Sequence, residues 1–188
     1  MRIAVLSLQG AFVEHKRMLQ SLGAEVFEVR ELADWQQPKD GLVLPGGEST
    51  TQAKLLNDLN LLEPMKADIE AGLPVFGTCA GLILLANDIE GKPERRFATM
   101  DISARRNAYG RQLGSFRVEA EMDGVGRIPM TFIRAPYING VSGDAKALAT
   151  VGGHIVAARQ GNQLVTAFHP ELDTDTRVHA YFMNMIRK

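Results

Sequence analysis

Three short apolar runs set the terms on which this chain folds. Ile3 to Leu8, Gly41 to Leu44 and Val75-Phe76 each lead into a glycine-bearing turn: Gln9-Gly10, Pro45-Gly46-Gly47 and Gly77-Thr78-Cys79-Ala80-Gly81. Segments of helical period lie between them. From Ala11 to Leu22 the residues Phe12, His15, Leu19 and Leu22 recur on one face, and Gly23 stops the helix. Glu25 to Val29 reads as a further strand. Ser49 or Thr50 can cap a helix that turns Ala53, Leu56 and Leu59 inward, and another helix follows with Pro64 near its first turn and Gly72 as its stop. Leu82 to Ala86 begin a packed helix. Short apolar strands alternating with helices of crossover length predict a parallel sheet covered on both faces.

The pattern changes in the second half. Asn87 to Arg96 is polar and reads as a loop. From Met100 onwards shorter β-like runs appear around Ile102, then at Phe116 to Ala120, Met130 to Ile133, Ala147 to Val151, His154 to Arg159 and Gln163 to Phe168. Gly110, Gly114 and Gly124-Val125-Gly126 punctuate these runs as turns. Gly152-Gly153 and Gly161-Asn162 suit two-residue connections between antiparallel strands. Thr174 opens a last helix with Val178, Tyr181, Phe182, Met185 and Ile186 as its packing stripe. The expected class is α/β, with a mostly parallel sheet between helical layers and antiparallel hairpins in the C-terminal half. No internal boundary is visible, so residues 1–188 are expected to form a single domain.

Composition narrows the function classes. A formal net charge of -1 gives no electrostatic reason for nucleic acid or an anionic membrane as partner. The single cysteine excludes an intramolecular disulfide and a multi-cysteine zinc site, and suits a reducing, cytoplasmic setting. The first apolar run is too short for a signal peptide and passes straight into Glu14-His15-Lys16-Arg17. No run approaches the ~18 apolar residues that span a bilayer.

Cys79 sits at the nucleophile position of a G-x-nucleophile-x-G strand-to-helix elbow. A helix N-terminus favours its thiolate, and the N–H of Ala80 is placed to face an oxyanion formed by attack of the sulfur. A small buried cysteine beside two incidental glycines fits the same stretch. Pro45-Gly46-Gly47-Glu48-Ser49-Thr50-Thr51 lies at the carboxyl end of a parallel strand, where open α/β sheets bind ligands. It lacks the Gly-Lys-Ser/Thr ending of a phosphate loop, and an ordinary glycine turn is the other reading. Farther on, Leu164 to Phe168 runs into His169-Pro170-Glu171. In extended chain, positions i and i+2 face one way, so Glu171 can hold the imidazole of His169 as the orienter of a base. A strand-end histidine with a surface glutamate is the alternative. His15 reads as a core-edge histidine and His179 as a surface or packing residue. Lys92, Arg95, Arg96, Arg105, Arg106 and Arg111 form a basic region of solvated-surface type. Within it the stretch Arg105-Arg106-Asn107-Ala108-Tyr109-Gly110-Arg111 can bind a carboxylate bidentately or dock a partner.

Taken together, the elbow, the Pro-Gly-Gly loop and His-Pro-Glu resemble the class I glutamine amidotransferases, which carry a Cys-His-Glu triad in this chain order on a flavodoxin-like three-layer α/β sandwich. The likeness narrows to the glutaminase subunits of pyridoxal 5′-phosphate synthases and covers nearly the whole chain. Leu8-Gln9-Gly10-Ala11 with Glu14-His15, Leu44 to Thr51, Gly77 to Gly81, Arg106 to Gln112, Phe132-Ile133-Arg134-Ala135-Pro136 and Phe168 to Leu172 carry it. The pair Ala104-Arg105 departs from the family pattern before Arg106. The resemblance implies Cys79 as nucleophile, His169 as general base and acid, and Glu171 as orienting carboxylate. It also implies a glutamine site on Gly47, Glu48, Ser49, Arg106, Ile133 and Arg134, with an oxyanion hole of Gly46, Gly47 and Ala80. The implied reaction takes L-glutamine to glutamate and ammonia through a glutamyl thioester. The ammonia passes to a separate synthase (lyase) subunit whose docking raises a low basal activity, and this chain itself holds no cofactor or metal. A glutaminase serving another synthase, a non-catalytic cysteine-based sensor of similar fold and a cysteine peptidase are the competing readings.

Overall fold

The computed structural model describes residues 1–90, 95–106 and 114–187. Lys92, Gly110, Arg111 and the rest of the Asn107 to Gln112 stretch lie outside the described residues. The first half alternates as expected: β1 (Arg2–Leu6), α1 (Phe12–Ser21), β2 (Glu25–Val29), α2 (Leu32–Trp35), β3 (Gly41–Leu44), α3 (Ser49–Asp58), α4 (Leu62–Glu70), β4 (Val75–Thr78) and α5 (Ala80–Leu85). The second half is strand-rich: β5 (Ala86–Ile89), β6 (Met100–Arg105), β7 (Ser115–Met122), β8 (Gly126–Ile133), β9 (Tyr137–Val141), β10 (Lys146–Val151), β11 (His154–Gln160) and β12 (Gln163–Thr166). A 3-10 turn, Pro170–Leu172, and the helix α6 (Arg177–Ile186) follow.

The main sheet runs β2-β1-β3-β4-β12-β11-β9-β6-β5, with β10 attached to β11. Pairing is parallel from β2 through β12 and antiparallel from β12 through β6, and β5 lies parallel to β6 at the far edge. β7 and β8 form a separate hairpin. Residues 152–153 and 161–162 make the two tight connections on either side of β11, as their glycines predict.

Two layers of helix follow from the pleat of β4. Side chains alternate across a strand, so Phe76 and Gly77 face opposite ways. Phe76 packs with its ring centroid 5.5 Å from His179 and 5.6 Å from Phe182, both on α6, and 5.9 Å from His15 on α1. Gly77 faces α5 on the other side, where a Cβ would stand 2.7 Å from the Gly81 carbonyl carbon. Gly81 in turn abuts β3, its missing Cβ 2.3 Å from the Leu44 carbonyl oxygen. The two elbow glycines therefore let α5 lie directly on the strands it follows. β1, β3 and β4 are almost wholly buried, as strands covered on both faces must be. Among the described residues no helix is long and apolar enough to cross a membrane.

Several local expectations give way. The α5 helix stops at Leu85, and Ala86–Ile89 is a strand rather than helix and loop: Asn87 and Asp88 are exposed between buried Ala86 and Ile89, a pattern a sheet edge tolerates. Arg96 is buried, not solvated, and its guanidinium donates to the carbonyls of Ala86 and Asn87 at 2.9 Å each. α2 and β9 were not foreseen. The α3 helix begins at Ser49, follows Glu48 and has no side-chain cap, while Leu59 lies beyond its end and is exposed; Gln52 takes the inward place instead. The last helix starts at Arg177, not Thr174. β12 ends at Thr166, not Phe168.

Candidate active site

Strand register brings the three motifs together. β4 lies between β3 and β12, with Leu44 beside Gly77 and Thr166 beside Thr78. The Cys79 N–H extends that ladder to the Thr166 carbonyl at 2.8 Å. The Pro-Gly-Gly turn, Cys79 and His169 thus leave the sheet at the carboxyl ends of three adjacent parallel strands, where such sheets place their ligands. Cys79 holds φ 50° and ψ -98°, a left-handed backbone for a residue with a Cβ. Strain of this kind persists where the surroundings enforce it, and here the β4 ladder and the close seat of α5 do so.

His169 and Glu171 meet, but not along a strand. Pro170–Leu172 curls into a 3-10 turn, and this turn carries the Glu171 carboxylate to His169, with Oε1 2.7 Å from Nδ1. His169 is also anchored by its N–H to the Thr131 carbonyl of β8 at 2.8 Å. Phe132 of β8 packs on Phe168 with centroids 5.9 Å apart, and so seats the β7–β8 hairpin beside the site. Both His169 and Glu171 are buried. Burial pushes the His169 imidazole down, but hydrogen bonds to Cys79 and Glu171 and the charges of both groups outweigh it and raise it to about 10. The proton is therefore held on His169 at neutral pH, between the sulfur and the carboxylate.

A cleft of about 280 Å³ opens in front of these groups, lined among others by Gly47, Glu48, Ser49, Cys79, Ala80 and His169. Arg106, Ile133 and Arg134 line it as well. The volume lies just below the roughly 300–1,000 Å³ of small-molecule pockets, which suits an amino acid better than a peptide. Arg134 has φ 46°, and its N–H is held by the Gly114 carbonyl at 2.5 Å, so its position in the wall is imposed by the backbone. Arg105 does not join the site: its guanidinium pairs with Glu90 at 2.9 Å and with the Tyr137 hydroxyl at 3.2 Å. Every residue that the family resemblance assigns to glutamine borders this cleft. Gly46 lies against the His169 ring, and Glu171 stands behind it.

The SNO glutamine amidotransferase family model matches residues 5–188. The chain belongs to that family. It is 56% identical to the pyridoxal 5′-phosphate synthase subunit PdxT of Streptococcus pneumoniae, over 100% of this chain and 99% of that one. It is 60% identical to the corresponding subunit of Methanocorpusculum labreanum, over 99% and 98% of the two chains. A crystal structure described as a glutamine amidotransferase superposes with TM-score 0.94 at 40% identity, covering 99% of each chain. A crystal structure described as a GMP synthase subunit from Thermoplasma acidophilum, at 18% identity and TM-score 0.68 over 100% of this chain and 94% of that one, shares the fold.

Within this amidotransferase frame, sequence reasoning missed how the glycine loop is held. Gln9, after β1, accepts the Glu48 N–H at its Oε1 (2.8 Å), and its carbonyl accepts the buried Gln52 amide (2.9 Å). Gln52 also reaches the Pro45 carbonyl at 3.1 Å, and the Ala11 N–H takes the Gly46 carbonyl at 2.9 Å. The carbonyl and N–H of a trans peptide point in opposite directions, so the Ala11 bond sets where the Gly47 N–H points. Among the described residues no protein acceptor engages the N–H of Gly47 or of Ala80. The one hint in sequence was the Gln-Gly-Ala turn itself.

Proposed function

We propose that the chain is the glutaminase subunit of a pyridoxal 5′-phosphate synthase, acting through Cys79, His169 and Glu171. The observation that carries this reading is the full-length identity of 56% and 60% to subunits of that synthase, taken with the buried His169–Glu171 pair beside the elbow cysteine. L-Glutamine binds with its side-chain amide at Cys79 and its α-carboxylate towards Arg106 and Arg134, whose guanidinium forks suit a carboxylate. With its proton taken up by His169, the sulfur of Cys79 attacks the amide carbon, and the N–H groups of Ala80 and the Gly46-Gly47 loop hold the oxyanion. His169 then gives its proton to the departing ammonia, leaving a glutamyl thioester. Neutral His169 next takes a proton from water, whose oxygen attacks the thioester and releases glutamate and the sulfur. Glu171 keeps the imidazole in the required tautomer and rotation throughout.

Ammonia passes to a synthase subunit that makes pyridoxal 5′-phosphate, so this chain needs no cofactor of its own, and its single cysteine suits a reducing cytoplasm. Incubation with a glutamine-directed alkylating agent, with and without the synthase, should place the adduct on Cys79. The resemblance implies a low activity until the synthase docks, so glutamate release should rise on adding synthase; if docking brings one oxyanion donor into line, the gain is about 10²–10³ in turnover. An adduct elsewhere overturns the mechanism, and equal rates with and without synthase overturn the coupling.

A further inference from the structure

Behind Glu171 lies a second pair of histidines that the reaction as derived does not use. His15 on α1 and His179 on α6 are both fully buried. His15 Nδ1 stands 2.9 Å from His179 Nε2. His15 Nε2 stands 3.0 Å from the Thr78 hydroxyl and 3.5 Å from Glu171 Oε2. That oxygen makes no hydrogen bond among the described residues, although its partner Oε1 is bound to His169. The pair therefore touches the one oxygen of the carboxylate that His169 leaves over. Thr78, the third member, immediately precedes Cys79 on β4.

The direction of the protons follows from counting them. Burial first, then the charges of His179 and His169, push His15 well down, and burial pushes His179 down to about 3. Both rings are neutral at pH 7 and carry one N–H each. If His15 donated from Nδ1, its Nε2 would turn a lone pair towards Glu171, and the proton of His179 would sit on Nδ1, which has no acceptor. The buried carboxylate oxygen would then face no donor from either ring, the costliest arrangement for an anion away from water. With the protons reversed, His179 Nε2–H donates to His15 Nδ1. His15 Nε2–H then points at the Thr78 hydroxyl and Glu171 Oε2 together.

From this geometry we infer that His15, held in its Nε2–H tautomer by His179, is a positioning residue for the reaction, fixing the Glu171 carboxylate so that Oε1 stays on His169 Nδ1. The inference rests on the proposed role of Glu171, and it extends the chain of groups behind Cys79 through His169, Glu171 and His15 to His179. The chain runs from the carboxyl end of the sheet to the seam between α1 and α6 on the Phe76 face, so packing of these two helices reaches the reacting sulfur without touching substrate. Partners that orient metal-bound ligands typically change activity by about 10–100-fold when removed, and a partner that orients a buried carboxylate is expected to act on the same scale.

The test has two independent parts. Long-range proton–nitrogen correlation spectra of the wild-type chain labelled with ¹⁵N-histidine should show His15 and His179 both as Nε2–H tautomers at neutral pH. A proton on Nδ1 of His15 overturns the inference whatever the activity, and this part needs no variant to fold. In glutaminase assays with the synthase present, His15→Leu should lose about 10–100-fold in kcat with KM unchanged. His15→Gln, which returns an amide N–H near the Nε2 position, should recover most of that loss. Wild-type kcat in a folded His15→Leu, or no recovery in a folded His15→Gln, overturns it. A wild-type chain that releases no glutamate with synthase present would instead sink the proposed function, while the tautomers would still be read from the same spectra.

Discussion

The imidazole of His169 lies against Gly46, where a Cβ would stand 2.3 Å from Cε1 and 2.8 Å from Nδ1. Two motifs far apart in sequence are therefore in direct contact, and the glycine is required by the ring. Gly46→Ala should push His169 off Glu171 while leaving the core untouched. A shift of about 1 Å in a catalytic group costs roughly 10²-fold. Steady-state kinetics should show that loss, with the melting temperature close to wild type; full activity would mean that the ring does not need its present place.

Cys79→Ala should abolish glutaminase activity and retain glutamine binding. His169→Asn should be nearly as damaging, and the double variant no worse than Cys79→Ala, because groups acting as one unit are not additive. Glu171→Gln should be milder, since it weakens orientation and leaves the nucleophile in place. Calorimetric titration with glutamine and single-turnover glutamate release separate these effects. Multiplicative losses in the double variant would argue for independent roles.

Two opposite pH dependences of stability follow from the histidines. His169 is raised to about 10, so the stability it contributes is complete below its unfolded value near 6.5 and is lost as pH rises through about 10. The stability gap between wild type and His169→Asn should narrow between pH 7 and pH 10.5 in urea titrations. A constant gap would contradict the pairing.

His179 is lowered to about 3 and His15 is lowered as well, both by burial first. Their contribution is present above the unfolded value near 6.5 and is lost as pH falls, for His179 through about 3. Unfolding free energy should fall over that window, at most about 1.4 kcal/mol per pH unit for each ring. The fall should be shallower in His179→Phe. An unchanged slope in that variant would place the acid sensitivity elsewhere.

Arg106→Ala and Arg134→Ala should weaken glutamine binding more than turnover. A hydrogen bond to a charged group is worth about 1.5–3 kcal/mol, roughly ten- to a hundredfold in KM. Arg134→Lys should recover little of it, since an ammonium does not reproduce the guanidinium fork. A fall in kcat at unchanged KM would give these arginines a different role.

The α/β class, the crossover helices and the hairpins around β11 were legible because each rests on local pattern: apolar runs, helical spacing and paired glycines. Cys79 was legible for the same reason, since a G-x-C-x-G elbow announces its own backbone. His169 and Glu171 were found by adjacency, but the extended geometry expected for them was wrong. Thr166 ends the strand, and the turn started by Pro170 brings the carboxylate round. Ala86–Ile89 is not legible as a strand because an edge strand with two polar residues facing water looks like a loop when its sheet is unknown.

The amino-acid sequence by itself determined the chemistry available: one cysteine on a strained elbow, a histidine with a carboxylate two residues on, a glycine loop and two arginines. Only the tertiary structure decided which of these meet and what stands behind them. The register of β3, β4 and β12 sets Gly46, Cys79 and His169 side by side. The packing of α1 and α6 against Phe76 turns two packing histidines, 164 residues apart, into a buried pair at Glu171. Local sequence specifies short-range backbone preference, whereas the environment of a buried charge is made by elements that meet only when the sheet closes over them.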